Sequence, residues 1–481
     1  MKILSSEEQL ESLSRDAGMV RIRPRAGYMA ESEEDVVEVM RRSAEQGVSI
    51  TPRGGGTSIP SQAIGKGYVV MQDRTRVALL ASGSVRCEPG LVKADLNRVL
   101  EPGGRWMPVD PSSYLSCTVG GMVANNSSGI RTPKYGSTVD FVEGLDVVCP
   151  GDGPASALSM PMDEVLHSGG RVGKAAALIL DNWKEIVDEQ PRVTKNSSGY
   201  RLEKTIHDGL FDLPKLFVGS EGTLGVFTEI TFKTRPRPQS KALLAVDAKI
   251  GELARVVAAF LEHSPSAVEL VDKSVFRRMG MEGRVSKYSR KEGDYLVFCE
   301  LEGTEAEVQA GLEDAAGSAA GGYEPLVITS ASEVADAWGV RNETLKLAMD
   351  VKEGSRILLP GVEDLVVPPG RLADLVRLLV YQFESRGLSH MIYGHAADAN
   401  LHARPLLDPD SSRERRILEE IMEESFEAVW KMGGSMTGEH GDGMLRAPYV
   451  QRQYPRTFPI MQEVRSLFDP KHMLNPGVKI I

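Results

Sequence analysis

The sequence predicts an α+β protein built from more than one domain. The chain has 481 residues, too many for one ordinary core. Its second half alternates strand-like apolar runs with amphipathic stretches, such as "ALLAVDA" followed by "GELARVVAAFLEHS". That alternation implies helices laid on one face of a sheet. Its first half concentrates glycine at "RGGGTS", "TVGGMVANNSSG" and "GSEGTLG", where backbone must bend sharply or approach another group closely. A Pro/Arg-rich stretch near residue 238 separates the two styles. The expected units are 1–238, 239–430 and a C-terminal segment, 431–481.

In chain order, "SEEDVVEVMRRSAEQ" reads as a helix over 32–46. Ser32 caps it, acids fill its first turn, and Val36, Val39 and Met40 form its apolar face. Gly47 suits the position after its end. "VSITP" reads as a short strand running into Arg53-Gly54-Gly55-Gly56-Thr57-Ser58. A strand feeding a bare glycine loop can turn converging N–H groups on a phosphate; a simple tight turn is the alternative. Neither the usual dinucleotide motif nor the usual ATP motif is present. Residues 106–140 mix Pro, Gly, Asn and Ser with Val, Met, Leu and Tyr, as in an ordered, buried loop wrapped around something large and polar rather than a solvated linker. "KLFVGSEGTLGVFTEITF" reads as strand, glycine turn, strand.

Beyond residue 238, "DYLVFCELEG" reads as a strand and "TEAEVQAGLEDAAG" as a helix. "GRLADLVRLLVYQFESRG" and "SRERRILEEIMEESFEAVWKMGG" are further helices. The apolar end "LFDPKHMLNPGVKI" is expected to pack back on earlier structure.

Composition narrows the function. Lys and Arg number 56 against 67 Asp and Glu, a net charge of −11, which disfavours nucleic acid or an anionic membrane as partner. No apolar run approaches the roughly 20 residues of a membrane span. The N-terminus lacks a signal-peptide core, and a cytoplasmic location is expected. The four cysteines lie far apart, without the spacing of a zinc or iron–sulfur site.

The sharpest signal is "YGHAADANLHARP" at 393–405, followed by "TGEHGDG". His395 and His402 are seven residues apart, which suits neither a helix nor one strand face. A turn at Asp398-Ala399-Asn400 would bring both imidazoles to one point. Glu439 and His440 occupy a second glycine-rich turn. Two imidazoles and a carboxylate with open positions suit a catalytic Zn²⁺ or Fe²⁺; chance clustering is the alternative.

Together these motifs make the chain resemble the FAD-linked oxidases of the vanillyl-alcohol oxidase/p-cresol methylhydroxylase superfamily. Within it the resemblance is to the group of glycolate oxidase catalytic subunits, D-lactate dehydrogenases and D-2-hydroxyglutarate dehydrogenases. It runs from about residue 20 to 480 through "PRGGGTSIPSQAIG", "DPSSYLSCTVGGMVANNSSG", "KYGSTVDFV", "GSEGTLG", "GHAADANLH", "GEHGDG" and "FDPKHMLNPG". It implies a two-part FAD-binding module of the p-cresol methylhydroxylase type. An α+β cap domain with an antiparallel sheet follows, and the C-terminal segment returns to the FAD module.

By that resemblance, Arg53, Gly54, Gly55, Gly56, Thr57 and Ser58 hold the FAD pyrophosphate. Pro111, Thr118, Gly120, Gly121, Asn125, Ser128 and Gly129 line the way toward the flavin ring, with Tyr135 and Gly136 nearby. Glu221 and Gly222 contact the adenosine half, and Asn475 returns to the flavin. His395, His402 and Glu439 match the ligands of a divalent metal (Zn²⁺, Fe²⁺ or Mn²⁺), and His440 the catalytic base.

Arg341, in "WGVRNE", is the candidate for gripping a substrate carboxylate; an ordinary solvated charge is the alternative. Ala397 and Ala399 stand where the family usually has glycine, which leaves the turn geometry open. No histidine lies beside "RGGGTS", so FAD is expected to be non-covalent. The implied reaction is oxidation of a D-2-hydroxy acid, with electrons passing to a separate iron–sulfur or electron-transfer protein. The competing readings are a non-catalytic flavin electron-transfer subunit and a metal hydrolase without flavin; the latter leaves the first 238 residues unexplained.

Overall fold

A computed structural model describes residues 1–317 and 323–481. After a short helix, Glu7–Leu13, the glycine-rich half forms the helix Glu33–Gln46, with the Ser32 hydroxyl accepting from the Asp35 amide and Gly47 left-handed at its end. It buries Val36, Val39 and Met40, as its spacing requires. They pack on a four-stranded sheet ordered Lys2–Leu4, Ala26–Ala30, Tyr68–Gln72, Ile50–Pro52. A second, five-stranded sheet holds Val77–Leu79, Val85–Cys87, Val226–Phe232, Val142–Val148 and Pro154–Ala157.

Two local expectations are corrected here. The segment "KLF" is not a strand: Leu213–Phe217 forms a helix with Pro214 in its first turn. Proline's missing N–H is harmless there, and five residues are too few to show a helical period. Residues 106–140 are indeed largely ordered, but not all loop. Val119–Asn125 is a helix whose N-cap, Thr118, accepts from the Gly121 amide. Gly120 and Gly121 hid this helix, because glycine weakens helix propensity.

The second half is built on a nine-stranded sheet, ordered Leu326–Ile328, Ser240–Ala248, Tyr295–Gly303, Ala267–Asp272, His390–His395, Asn400–Leu407, Arg356–Leu358, Lys352–Glu353. Leu365–Val366 adds to Asn400–Leu407, and every pairing is antiparallel.

Helices cover both faces of this sheet, not one. Leu244, Val246, Val297 and Cys299 share a core with Val256, Phe260, Leu375 and Leu379 of two helices, Leu253–Leu261 and Leu372–Glu384. The alternate residues Leu243, Ala245, Leu296 and Phe298 pack with Val334, Ala337 and Val340 of Ala331–Asp350. Period-two alternation sends neighbours to opposite faces. Both faces being covered, the central strands read as continuous apolar runs.

The C-terminal segment returns to the first sheet. Ile50 and Leu474 form a parallel bridge, the Ile50 amide donates to Met473 O at 2.8 Å, and the Asn475 amide donates to Ile50 O at 2.7 Å. Among the described residues, no helix is long and apolar enough to cross a membrane.

Candidate active site

The hairpin His390–His395/Asn400–Leu407 pairs His395 with Asn400 and Tyr393 with His402. Its tip, Ala396–Asp398, is a 3₁₀ turn. This places the two imidazoles with ring centroids 5.3 Å apart and nearly perpendicular. Ala399 closes the turn at φ 49°, adopting the left-handed geometry that glycine takes freely and alanine takes at a cost of about 1–2 kcal/mol. Buried on all sides, it is held there by the strands it joins.

Glu439 and His440 reach the hairpin from a loop folded around a buried carboxylate. Asp364 accepts from the amides of Glu439 (3.0 Å) and His440 (2.7 Å), and from the Thr437 hydroxyl. The Nε2 atoms of His395, His402 and His440 then stand 3.1, 3.4 and 3.7 Å from one atom, Glu439 Oε1. The other oxygen, Oε2, accepts from the Ser128 hydroxyl at 3.0 Å and from Lys195 Nζ at 3.2 Å.

Behind the imidazoles lie two parallel relays. Arg341 places Nε and Nη2 each 2.8 Å from Glu269 Oε2, and Glu269 Oε1 stands 2.7 Å from His395 Nδ1. Arg404 donates to Glu363 at 2.7 Å, and Glu363 Oε1 stands 3.4 Å from His440 Nδ1. The first relay hydrogen-bonds the His395 ring and turns its Nε2 to the shared point; in the second, the Glu363 carboxylate stands behind the His440 ring at ion-pair distance.

Burial works against ionisation at His395, but Glu269 outweighs it and raises the pKa to about 9. At His440 burial is likewise overcome, by Asp364 and Glu363, and the pKa rises. Burial lowers that of His402. Glu439 resists its own burial through Lys195 and His395, which hold it well below the usual carboxylate range.

Three cavities meet here. The first, about 160 Å³, is lined by Met29, Val70, Met71, Val226 and Phe227, with Arg53, Gly54, Thr118, Gly120, Gly121 and Gly222. The second, about 110 Å³, is walled by Gly54, Gly55, Gly56, Thr57, Ser58, Pro111, Thr118, Gly121, Asn125 and Ser128, and ends at Glu439 and His440. Gly54, Thr118 and Gly121 are common to both. The third, about 540 Å³, contains His395, His402, Arg341, Arg404, Tyr393, Trp106 and Trp338. Glu439 and His440 stand on the wall that the second and third cavities share.

Some expected residues stand behind the cavity walls rather than on them. Gly129 packs on Asp110, where a Cβ would meet the carbonyl oxygen at 2.4 Å. Tyr135 sits edge-on to Trp106, centroids 5.7 Å apart. Gly136, at φ 86°, faces Asp140.

The Glu221 carboxylate is consumed within the protein. It accepts from the Asp442 and Gly443 amides, both at 2.8 Å, and lies 3.0 Å from Lys479 Nζ. Asn475 donates to the carbonyls of Gln62 and Glu221. None of these five lines any of the three cavities.

Two cavity-lining residues also serve the histidine loop. Asn125 donates to Glu439 O at 2.7 Å, and Ser128 holds the Glu439 side chain. Arg341 is buried rather than solvated, and its Nε and Nη2 are already given to Glu269. The sequence alone does not single out Lys195, Glu269, Glu363, Asp364 and Arg404, whose roles depend on partners distant in the chain.

Residues 24–157 match the FAD binding domain family, and residues 236–478 match the family described as FAD linked oxidases, C-terminal domain. The chain belongs to the FAD-linked oxidases.

A D-2-hydroxyglutarate dehydrogenase of Pseudomonas putida is 30% identical over 97% of this chain and 49% of its own length. The chain thus spans about half the length of that relative. The glycolate oxidase subunit GlcD of Bacillus subtilis is 27% identical over 94% of the chain and 88% of its own length. A D-lactate dehydrogenase of Anaerostipes hadrus is 28% identical, covering 99% and 94%. The solved structure of an alkyldihydroxyacetonephosphate synthase superposes with a TM-score of 0.68 at 16% identity, over 98% of this chain and 82% of that one; it shows the shared fold.

The cavities fit FAD: an apolar chamber, a glycine-walled neck and a polar chamber follow one another, as a base, a diphosphate and a ring require. The imidazole cluster fits a divalent cation. Five carboxylates (Glu269, Glu363, Asp364, Asp398, Glu439) face four buried cations (Lys195, Arg341, Arg404, Arg446). Glu269, Asp364 and Glu363 draw positive charge onto His395 and His440, charge that a bound cation would supply in its place, and the nitrogen-and-carboxylate donor set is of the type that binds Zn²⁺, Fe²⁺ or Mn²⁺.

Proposed function

We propose that this protein oxidises a D-2-hydroxy acid to the 2-oxo acid, using non-covalent FAD and one divalent cation. The observation that carries the proposal is the position of Glu439 and His440 on the wall between the second and third cavities. The loop Arg53–Ser58 with Thr118, Gly121 and Asn125 would hold the cofactor across the glycine neck. His395, His402 and Glu439 would hold the cation. When bound, FAD supplies a two-electron acceptor and the cation a Lewis acid for the α-hydroxyl.

The chain's own residues do the rest. The third cavity takes the acid between Trp106, Trp338 and Tyr393. Arg341, turned by Glu269, meets the substrate carboxylate through the part of its guanidinium that Glu269 leaves open. His440 takes the hydroxyl proton on Nε2, with Glu363 and Arg404 fixing the ring behind it. Electrons then leave to a separate iron–sulfur or electron-transfer protein. A non-catalytic flavin subunit would have no use for three imidazoles around one carboxylate oxygen. The reading is tested by mixing the anaerobic flavoprotein with D- and L-2-hydroxy acids and following flavin absorbance. Bleaching by a D-acid supports it, and indifference to every acid removes it.

A further inference from the structure

Glu439 has two oxygens with different company. Oε1 faces the three imidazoles, whereas Oε2 takes the Ser128 hydroxyl at 3.0 Å and the Lys195 ammonium at 3.2 Å. Lys195 is wholly buried and also lies 3.5 Å from Asp398 Oδ2. Asp398 in turn accepts from the Thr194 hydroxyl at 2.6 Å. One side chain from residue 195 therefore ties the tip of the hairpin to the Glu439 loop. A buried ammonium is costly unless it is paired, and among the described residues Lys195 is the one cation in ion-pair contact with Glu439 other than imidazoles.

We propose that Lys195 is a positioning residue which, with Ser128, occupies Glu439 Oε2 and so presents the carboxylate to the imidazole cluster through Oε1 alone. A carboxylate held by one oxygen beside the two ligand nitrogens of His395 and His402 favours a small, nitrogen-preferring cation. A carboxylate free to bind through both oxygens favours Ca²⁺, which readily takes bidentate carboxylates. Lys195 thereby sets metal preference as well as affinity. Simple electrostatics gives the opposite sign: removing a positive charge beside the site should tighten any cation.

This inference rests on the metal reading above, and the experiment separates the two. FAD-loaded protein stripped of metal with a chelator is titrated with Zn²⁺ and then with Ca²⁺, against a competing chromophoric chelator. Lys195→Met is expected to bind Zn²⁺ about 10- to 100-fold more weakly, the range for loss of a partner behind a metal ligand. Its preference for Zn²⁺ over Ca²⁺ is expected to fall, while the flavin complement stays at the wild-type level. Ser128→Ala, which removes the other donor to Oε2 and leaves the charge intact, is expected to shift both readings the same way by less; it decides the question should Lys195→Met not fold. Unchanged or tighter Zn²⁺ binding in Lys195→Met, or in Ser128→Ala where it stands alone, would overturn the assignment. A wild-type protein that binds neither ion would remove the metal site itself, and this role with it.

Discussion

Glu269 Oε1 stands 2.7 Å from His395 Nδ1, and Arg341 holds the other oxygen of the same carboxylate at 2.8 Å. Glu269 is wholly buried, so His395 is oriented from behind and has only Nε2 to offer the cavity. A metal-binding imidazole is usually fixed in this way. Glu269→Gln is therefore expected to weaken divalent-cation binding about 10- to 100-fold with FAD retained. Glu269→Leu leaves Arg341 buried without its partner and is expected to cost about 3–5 kcal/mol of stability. Metal titration and denaturant unfolding measure the two effects, and a Glu269→Gln protein with wild-type affinity would refute the orienting role.

Substituting His395, His402 or Glu439 by Ala should abolish turnover while the flavin stays bound. The side chains of His395 and His402 line the third cavity but neither the apolar chamber nor the glycine neck that would hold the base and the diphosphate, so the two functions should separate. Glu439 touches both spaces and is the most demanding case. Metal and flavin content, measured on each variant, provide the check; full metal occupancy in all three would contradict the ligand set.

His440→Ala should be a chemical defect rather than a binding defect. A base acting in the transition state contributes roughly 10²- to 10⁴-fold to rate, and its loss should lower kcat with little change in substrate affinity. Partial rescue at high pH is expected, because solvent can then take the hydroxyl proton. Stopped-flow flavin reduction at saturating substrate measures this, and a wild-type rate would move the role elsewhere.

Gly55→Val should cost FAD and spare the metal. A Cβ at Gly55 would stand 2.2 Å from Ser116 O, a backbone atom that cannot give way cheaply, so the glycine loop must move off the neck. Purification with a full flavin complement would show that the loop has another use.

Lys479→Met should loosen the C-terminal segment. Lys479 is wholly buried, 2.7 Å from Asp442 and 3.0 Å from Glu221. Removing one member of such a cluster costs about 3–5 kcal/mol. Lower denaturant midpoints, with early proteolysis near residue 470, are the expected result.

How much of this the sequence disclosed depends on the range of each interaction. The hairpin carrying His395 and His402 was legible because Asp398 and Asn400 are turn residues between two apolar runs. The capped helix Glu33–Gln46 was legible for the same local reason. Lys195, Glu269 and Glu363 were not, since each meets its histidine or carboxylate only after distant segments pack, and Arg404, though inside the 393–405 stretch, gave no sign of its distant partner Glu363. The partners of the Glu221 carboxylate, the Asp442 and Gly443 amides and Lys479, were not legible either, because its motif says that the turn is special and does not say where the carboxylate points. The helix over 119–125 was concealed by its own glycines, and the second helical layer by strands that are apolar on both faces.

The central claim is that Glu439 and His440 stand where flavin and hydroxy acid meet. Its most direct test is anaerobic stopped-flow reduction of the wild-type flavoprotein by paired D- and L-2-hydroxy acids, with and without prior removal of metal. The account predicts rapid bleaching by one or more D-acids, little by their L-enantiomers, and loss of bleaching on chelation with recovery when Zn²⁺, Fe²⁺ or Mn²⁺ is restored. Bleaching that is indifferent to chelation, or equal for both enantiomers, would contradict it.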